Sequence, residues 1–165
     1  MVDICLSDQV LWVFNFTDEH TMYSMTPAMQ LCMAISQAQS QLANSLNSTL
    51  SCHGISFTEL MVLHELASAP NLTLRRIELA NSVGLSASGV TRLLLPLEKI
   101  GLIQKEQNAR DARVSLVKLT PVGQQLLIDA MQSFENRADS STQTLTETQL
   151  QQCLALLAQL QNQSN

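Results

Sequence analysis

The stretch that decides the fold is Ile77–Arg92, which reads IELANSVGLSASGVTR. It predicts a short helix that begins after Thr73 and ends near Ser82, followed by a turn at Gly84. Ser86 is a favoured N-cap residue and predicts that the next helix starts there. Two helices separated by three or four residues around a glycine have the spacing of a helix-turn-helix. The apolar face of the second helix consists of Val90, Leu93, Leu94 and Leu97.

The sequence after this second helix predicts a β-hairpin. Gly101 ends the helix, and two β-prone segments follow, Leu102–Glu106 and Arg113–Leu119, joined by the polar loop Gln107–Ala112. A hairpin directly behind a helix-turn-helix is a wing. A helix fits the width of the B-DNA major groove, and a cationic wing loop can contact the neighbouring backbone or minor groove. The pattern therefore predicts a DNA-reading module.

The basic residues of the chain are concentrated in this same region. Eight of the nine Lys and Arg residues lie between Asn71 and Thr120 with only four acids, so this window carries +4 and the other 115 residues carry −9. A basic island in an acidic protein predicts that the island contacts a polyanion. The overall charge of −5 argues against a non-specific nucleic-acid coat protein. The cations of the island are Arg75, Arg76, Arg92, Lys99, Lys105, Arg110, Arg113 and Lys118.

Helices are predicted on both sides of the basic island. Before it, residues 27–50 carry apolar side chains at three- and four-residue steps, and residues 56–59 (SFTE) form a capping box that opens a second helix. After it, Thr120-Pro121 opens a helix that runs to an expected break at residues 139–144. A second capping box at residues 146–149 (TETQ) opens a last helix. With 45% apolar and only 4% aromatic residues, we expect a mainly α protein with a small β-hairpin wing.

The remaining features of the chain predict a cytoplasmic protein. The apolar run Val10–Phe16 is too short to span a membrane, and no Lys or Arg precedes it as in a secretion signal. The four cysteines show no paired spacing, so we expect reduced thiols. They are Cys5, Cys32, Cys52 and Cys153.

Seven blocks of the sequence resemble, in order and spacing, those of the MarR family of winged helix-turn-helix transcriptional regulators. They are Ile77-Glu-Leu-Ala80, Val83-Gly-Leu-Ser86, Val90-Thr-Arg92, Leu97-Glu98, Gly101-Leu-Ile103, Asp111-Ala-Arg113 and Leu119-Thr-Pro-Val-Gly123. The resemblance covers about residues 55–127. It implies a winged helix-turn-helix DNA-binding lobe at 55–120, flanked by an N-terminal arm and dimerisation helix at 1–50 and C-terminal dimerisation helices at 121–165. Together these would form one compact domain of about 27–162.

The resemblance also implies a set of DNA-binding residues. Ser86 would cap the recognition helix and contact phosphate, Arg92 would read guanine, and Ser88 or Thr91 would reach several partners. Arg75 and Arg76, at the start of the preceding helix, would contact phosphate. The whole expected set is Arg75, Arg76, Ser86, Ala87, Ser88, Gly89, Thr91, Arg92, Arg110 and Arg113.

In the wing, Arg110 at the loop tip would enter the minor groove. Asp111 and Arg113 match the family's wing motif and would form a charge pair that braces the hairpin, with Arg113 also near DNA. Two residues depart from the usual pattern. Gly89 is a poor helix residue at a position where a side chain often contacts a base, and Pro96 removes a backbone donor in mid-helix.

Cys32 leaves an alternative function open. Leu31-Cys32 resembles the peroxide-sensing branch of the family, which predicts a thiol-redox-sensing regulator. That branch surrounds its thiol with tyrosines, whereas this chain has only Tyr23, and Ser36 and Phe57 stand in the nearby places. Cysteine is more commonly a small apolar filler.

Metal and enzymatic chemistry are not expected. Cys52 and His53, with His64 and Glu59 or Glu65, are poorly spaced for a tetrahedral zinc site, so we expect no metal and no cofactor. The sequence has no Ser/His/Asp set, no phosphate-binding glycine loop and no paired acids in a plausible cleft, which argues against an enzyme.

The resemblance implies a homodimeric repressor that binds a near-palindromic operator of double-stranded DNA. It further implies a small aromatic or lipophilic effector, bound between the dimer helices and the DNA-binding lobe. A third hypothesis is a winged-helix protein-interaction module without DNA binding. Gly89, Pro96 and the net acidity favour that module, and the basic island disfavours it.

Overall fold

The computed structural model describes residues 24–108 and 111–162. The helices in these ranges are α1 (Pro27–Leu50), α2 (Phe57–Ser68), α3 (Arg76–Ser82), α4 (Ala87–Lys99), α5 (Pro121–Thr142) and α6 (Glu147–Asn162). The strands are β1 (Thr73–Arg75), β2 (Ile103–Asn108) and β3 (Asp111–Leu119). The fold class predicted from the sequence, mainly α with a small β wing, is confirmed. The N-terminal apolar run Val10–Phe16 and Tyr23 lie outside the described residues.

Contacts divide the chain into two units, with the boundary between Ser40 and Gln41 in α1. In the first unit, described from residue 24, the side chains of α1 are exposed, and Met29, Leu31 and Met33 each keep about half of their surface accessible. The second unit contains the hydrophobic core and all of the other elements named above.

The core of the second unit is built mainly from leucine. Each side chain that is fully removed from water contributes on the order of 1.5–3 kcal/mol, and the sequence supplies them at helical spacing on α2 and α4. The described residues contain no buried polar or charged side chain. The largest fully buried side chains are those of Leu46, Leu50, Val62, Leu63, Leu66, Leu79, Val90, Leu94, Leu97, Val117 and Leu119.

The sheet has a third strand that the sequence did not predict. The strand order is β1-β3-β2 with both pairs antiparallel, and Thr73 lies opposite Lys118. The helix expected after Thr73 begins at Arg76, because residues 73–75 form β1 first. A turn at Pro70, with Asn71 at φ 56°, places residues 73–75 beside β3. Three residues are too few to show the alternation that identifies a strand.

The two wing strands reach further than predicted. The ladder continues to Gln107 opposite Ser115 and Asn108 opposite Asp111, with an irregular register between Gln107 and Asn108. Much of the expected loop at residues 107–112 is therefore strand. Backbone hydrogen bonds pair polar residues as readily as apolar ones, so the polar composition concealed the extension.

Helix α5 also runs through part of an expected break. We predicted a break at residues 139–144, but α5 continues to Thr142. The hydroxyls of Ser140, Ser141 and Thr142 each donate to the carbonyl four residues earlier, at 2.9 Å. These residues weaken a helix when their hydroxyls seek other partners, and here the helix itself supplies the acceptors.

Thr120 joins the turn that follows α4 to the start of α5. Its hydroxyl accepts from the Gly123 N–H at 3.0 Å and donates towards the carbonyls of Gly101 and Leu102, at 2.7 and 3.0 Å. Gly123 is required beside this link for space. A Cβ there would lie 2.1 Å from the Leu102 carbonyl oxygen and 2.7 Å from a methyl of Leu119. We call Thr120 and Gly123, with their contacts, the α4–α5 junction.

Among the described residues, no helix is both long enough and apolar enough to span a bilayer.

Candidate DNA-binding surface

The turn between α3 and α4 fixes how the two helices of the motif meet. Gly84 has φ 68°, a conformation that glycine adopts without strain. Its N–H donates to the Asn81 carbonyl at 3.2 Å, and the Leu85 N–H donates to the Ala80 carbonyl at 2.8 Å. These two bonds make a Schellman motif, which ends α3 and directs the chain into α4.

Ser86 caps the N-terminus of α4, as predicted. Its hydroxyl accepts from the Gly89 N–H at 3.0 Å. A Cβ at Gly89 would lie 3.1 Å from the Ser86 hydroxyl oxygen, which is tight. The glycine that departed from the usual pattern therefore leaves room for the cap, and it presents no side chain to a ligand.

Helix α4 separates a buried face from an exposed face. Val90, Leu94 and Leu97 are almost fully buried on the core side. The helix continues across Pro96 to Lys99, and Pro96 itself is exposed. Proline leaves the Arg92 carbonyl without a helical donor, but this loss falls behind the first turns of the helix.

The exposed face of α4 begins with small residues and then presents Arg92. Ala87 and Ser88 are exposed, and the hydroxyls of Ser88 and Ser86 lie 3.2 Å apart. Thr91 donates its hydroxyl to the Ala87 carbonyl at 2.7 Å, so this hydroxyl is free only to accept. Arg92 is exposed, and within the described residues no carboxylate lies within ion-pair distance of it.

Arg75 and Arg76 differ in their contacts. The Arg75 backbone N–H donates to Glu78 Oε2 at 3.0 Å, and its side-chain Nε lies 3.8 Å from Glu78 Oε1. Arg75, the N-cap residue of α3, is therefore paired with an acid in the first turn of that helix. Arg76 is exposed, and the described part of the chain places no carboxylate within ion-pair distance of it.

Two lysines of the basic island are paired with acids at the base of the wing. Lys105 contacts Glu98 at the end of α4, and the Lys118 Nζ lies 3.1 Å from Glu106 Oε1 across the hairpin. Both pairs are about one-third to one-half exposed, so they add little stability, but they neutralise positive charge. Among the cations whose side chains the structure describes, the positive field is therefore weighted towards Arg76, Arg92 and Lys99.

The predicted wing site lies partly outside the described residues. Arg110 lies outside the described residues. The backbone of Asp111 and Arg113 is in β3, but their side chains lie outside the described part, so the predicted brace between them stays a prediction.

The cysteine and histidine residues do not gather into a site in the described ranges. Cys32, Cys52 and Cys153 are exposed thiols. The His53 Nε2 lies 2.8 Å from the Ser133 hydroxyl, which links it to α5. No group of three His, Cys, Asp or Glu side chains in the described ranges is arranged to hold a metal ion.

Sequence reasoning missed the acids that pair with the island. In the sequence, Glu98 and Glu106 contributed only to the net charge of the basic window. Which lysines they pair with depends on the register of the hairpin, which the sequence alone does not show. That register places Glu106 diagonally opposite Lys118, since Gln104 is the direct partner of Lys118. The sequence offered one signal for the Glu106–Lys118 pair. Once Gln104 is opposite Lys118, Glu106 lies two residues further along on the same face of the hairpin and can reach Lys118 diagonally.

The α3–turn–α4 geometry, the exposed cationic face of α4 and the antiparallel wing define a winged helix-turn-helix protein. A sequence model of the MarR family matches residues 55–115. The chain is 30% identical over 123 residues to the transcriptional repressor MprA of Escherichia coli, covering 74% of this chain and 68% of that protein. It is also 24% identical to the regulator MhqR of Bacillus subtilis, covering 79% of this chain and 88% of that protein.

The solved structures agree in fold. A MarR family regulator from Streptomyces coelicolor, solved in complex with DNA, superposes with a TM-score of 0.79 at 22% identity, covering 86% of this chain and 94% of that one. A mutant of MarR from Escherichia coli, solved with operator DNA, gives a TM-score of 0.74 at 24% identity, covering 81% and 94%. The chain belongs to the MarR family of transcriptional regulators, which confirms the resemblance and agrees with the expectation of a protein that is not an enzyme.

Proposed function

We propose that this protein is a cytoplasmic repressor that binds a near-palindromic DNA operator as a homodimer. One exposed residue carries the proposal. Arg92 lies on the exposed face of the second helix of the motif, just beyond the capped first turn, and the described acids leave it uncompensated. A guanidinium in this position can donate two hydrogen bonds to guanine O6 and N7 in the major groove. MprA, the relative at 30% identity, is named a transcriptional repressor.

Phosphate contacts would come from the residues around this helix. The small residues Ala87 and Ser88 let the N-terminus of α4 approach the backbone closely, and Arg76 extends from the neighbouring helix. Such contacts fix the register of the protein on DNA without reading its sequence. Arg92 would then distinguish between bases at the position where this register places its side chain.

A second copy of the chain would cover exposed apolar residues outside the DNA-binding lobe. Leu154, Leu156, Leu157 and Leu160 of α6 are each 43–62% exposed, and α1 separately exposes Met29, Leu31 and Met33. Contiguous exposed apolar surface of this kind is typical of an interface. A two-fold axis would place two copies of α4 in successive major grooves about 10 bp apart.

A groove between α2 and α5 is the proposed effector site, and we call it the α2/α5 groove. It consists of a cavity of about 210 Å³ between α2 and α5 and an adjoining open cavity of about 650 Å³ that is lined by α5 alone. The two cavities share Met131 and Phe134. A compound that favours one arrangement of α5 over another would shift the population of DNA-competent dimers. The groove is lined by Phe57, Leu60, Met61, His64, Glu65, Leu127, Ile128, Met131, Gln132, Phe134 and Glu135.

The test of DNA binding is selection from a random DNA pool, followed by footprinting and a salt series. We expect one preferred operator, protected symmetrically, with affinity that falls steeply with salt at a slope of about −0.9 per phosphate contacted. Binding without sequence preference, or a flat salt series, would favour the protein-interaction module instead.

Thiol-redox sensing is a second candidate function, and the exposure of the Cys32 thiol favours it. An oxidant should release wild-type protein from the operator and leave the Cys32→Ser variant bound. Cys52→Ser and Cys153→Ser are matched controls, because both of these thiols are also exposed. Equal release of all four proteins would exclude a sensing role for Cys32.

A further inference from the structure

The α2/α5 groove has an aromatic and flexible apolar interior. The rings of Phe57 and Phe134 lie 5.5 Å apart between centroids and are tilted by 42°. Phe134 lines both cavities, while Met61 and Met131 add polarizable side chains that adapt to an occupant. The smaller cavity, of about 210 Å³, has the size of a compound with a single aromatic ring.

The charged groups of the groove are all of one sign. Glu65 of α2 lines the smaller cavity and Glu135 of α5 lines the larger, and within the described residues neither cavity is lined by Lys or Arg. Arg137, the only Lys or Arg of the chain outside the basic island, donates instead to the Ser45 hydroxyl. The other polar groups of the lining are His64 and Gln132, and the Gln132 amide donates to Glu135 at 3.2 Å.

Aromatic faces combined with carboxylates constitute the chemistry that recognises an organic cation. A cation is attracted to the negative face of a phenyl ring, and a nearby carboxylate adds a charge–charge term. The same carboxylates repel an organic anion. The acidic remainder of the chain, at −9 outside the basic island, reinforces both effects.

We propose that the effector of this regulator is a lipophilic cation, held in the α2/α5 groove by Phe57, Phe134 and Glu65. This inference rests on the proposed function, since it names the chemical class of compound that would release the DNA. Glu65 is the stronger determinant, because it is only partly exposed whereas Glu135 is exposed. Lipophilic anions are excluded from the groove by the same residues.

Three probes of similar size and different charge test this class. They are benzyltrimethylammonium, its uncharged analogue neopentylbenzene and the anion 3-phenylpropionate, each titrated into the full-length protein by NMR. We expect the cation to bind at least about fivefold more tightly than the uncharged analogue and the anion to bind most weakly. An anion that binds as tightly as the cation, or a groove that binds none of the three, would overturn the proposal.

Charge variants identify the residue responsible. Glu65→Gln should weaken the cation about five- to tenfold and strengthen the anion, on the scale of one partly screened charge pair. Asp129→Asn is the matched control, because Asp129 is an exposed α5 carboxylate that does not line the groove, and it should change neither affinity by more than about twofold. Equal cation affinity of wild type and Glu65→Gln would contradict the assignment.

Two further measurements separate this proposal from the proposed function. DNA binding is measured first without probe, so a protein that never binds DNA refutes the repressor function while the probe titrations still decide the groove. Sizing of Met61→Arg distinguishes a second copy as occupant. If this variant becomes monomeric and the wild-type groove binds no probe, the groove is a dimer contact and the cation proposal is wrong.

Discussion

The proposed sequence preference depends mainly on one side chain, that of Arg92. Ala87 and Ser88 before it on the exposed face of α4 are small, Leu95 after it is apolar, and the Thr91 hydroxyl donates to its own helix. Arg92→Ala should therefore remove the preference for guanine at the position that Arg92 contacts, at a cost of about 1–3 kcal/mol for the base pair concerned. Competition binding with operator and single-base variants measures this loss.

Lys99→Ala is the control for charge alone. Lys99 is another exposed cation of α4, at the opposite end of the helix. Its loss should weaken binding to all sequences equally, if it changes binding at all. A preference unchanged in Arg92→Ala would refute α4 as the reading helix.

Gly123 is fixed by packing alone. Gly123→Ala would place a methyl group 2.1 Å from a backbone oxygen, so the free energy of unfolding should fall by at least about 2 kcal/mol. Urea denaturation measures the change, with Gln124→Ala as the neighbouring control on α5. A stability equal to that of wild type would show that the first turn of α5 does not approach Leu102 as described.

At the scale of single residues, the sequence predicted local contacts well and distant contacts poorly. The caps at Ser56, Ser86 and Thr120 were all predicted, because the donor and acceptor lie within three residues of each other. The reason for Gly123 could not be predicted, because it depends on Leu102, which approaches only after the chain has folded.

At the scale of elements, the cap of α4 links stability to DNA binding. Ser86→Ala removes the acceptor of the Gly89 N–H and should cost about 1 kcal/mol of stability, while also weakening operator binding. Ser88→Ala is the matched control. It leaves this cap bond intact and should change stability by less than about 0.5 kcal/mol. Thermal unfolding and anisotropy titration give the two quantities, and equal stability of the two variants would contradict the cap.

The ion pairs of the wing limit how much positive charge the lobe presents. Glu98→Gln releases Lys105 and should strengthen binding to DNA of any sequence, with a steeper salt dependence. Stability should change by less than about 1 kcal/mol, because the pair is partly exposed. Glu147→Gln, an exposed change on α6, is the control of equal charge. Weaker DNA binding in Glu98→Gln would show that Glu98 positions the wing.

The elements that could not be predicted from the sequence are those without a periodic pattern of apolar residues. Strand β1 is stabilised by its partner β3 and has only three residues. In the extension of α5, three hydroxyls donate to carbonyls of the helix itself, and these acceptors exist only once the helix has formed. The long amphipathic helices and the hairpin followed from spacing alone.

At the scale of the whole molecule, the proposed dimer depends on α6. Deletion of residues 145–165 should convert the dimer to a monomer on sizing and abolish high-affinity operator binding. The double variant Leu154→Glu and Leu157→Glu tests the same surface in the full chain, because both leucines are exposed on the proposed interface. Gln151→Glu adds a charge to the same helix as a control. A stable dimer in the deletion or double variant would refute the terminal interface.

The family and the general placement of the DNA-binding lobe followed from the order of short motifs. The proposed effector groove did not, because α2 and α5 are more than fifty residues apart in sequence and come together only in the folded chain. The charge of its lining was equally hidden. In the sequence, Glu65 and Glu135 are two of the acids outside the basic island. Their place in the proposed groove becomes visible only when the fold brings them near Phe134.

The α4–α5 junction has a mechanical consequence. Thr120 attaches the turn after α4 to the first turn of α5, and Met131 in the groove lies about 15 Å further along that helix. Helix α5 would therefore act as a lever with its short end fastened to the chain directly behind the proposed recognition helix. A small tilt at the groove would reach that helix through hydrogen bonds and close backbone contact rather than through a flexible loop.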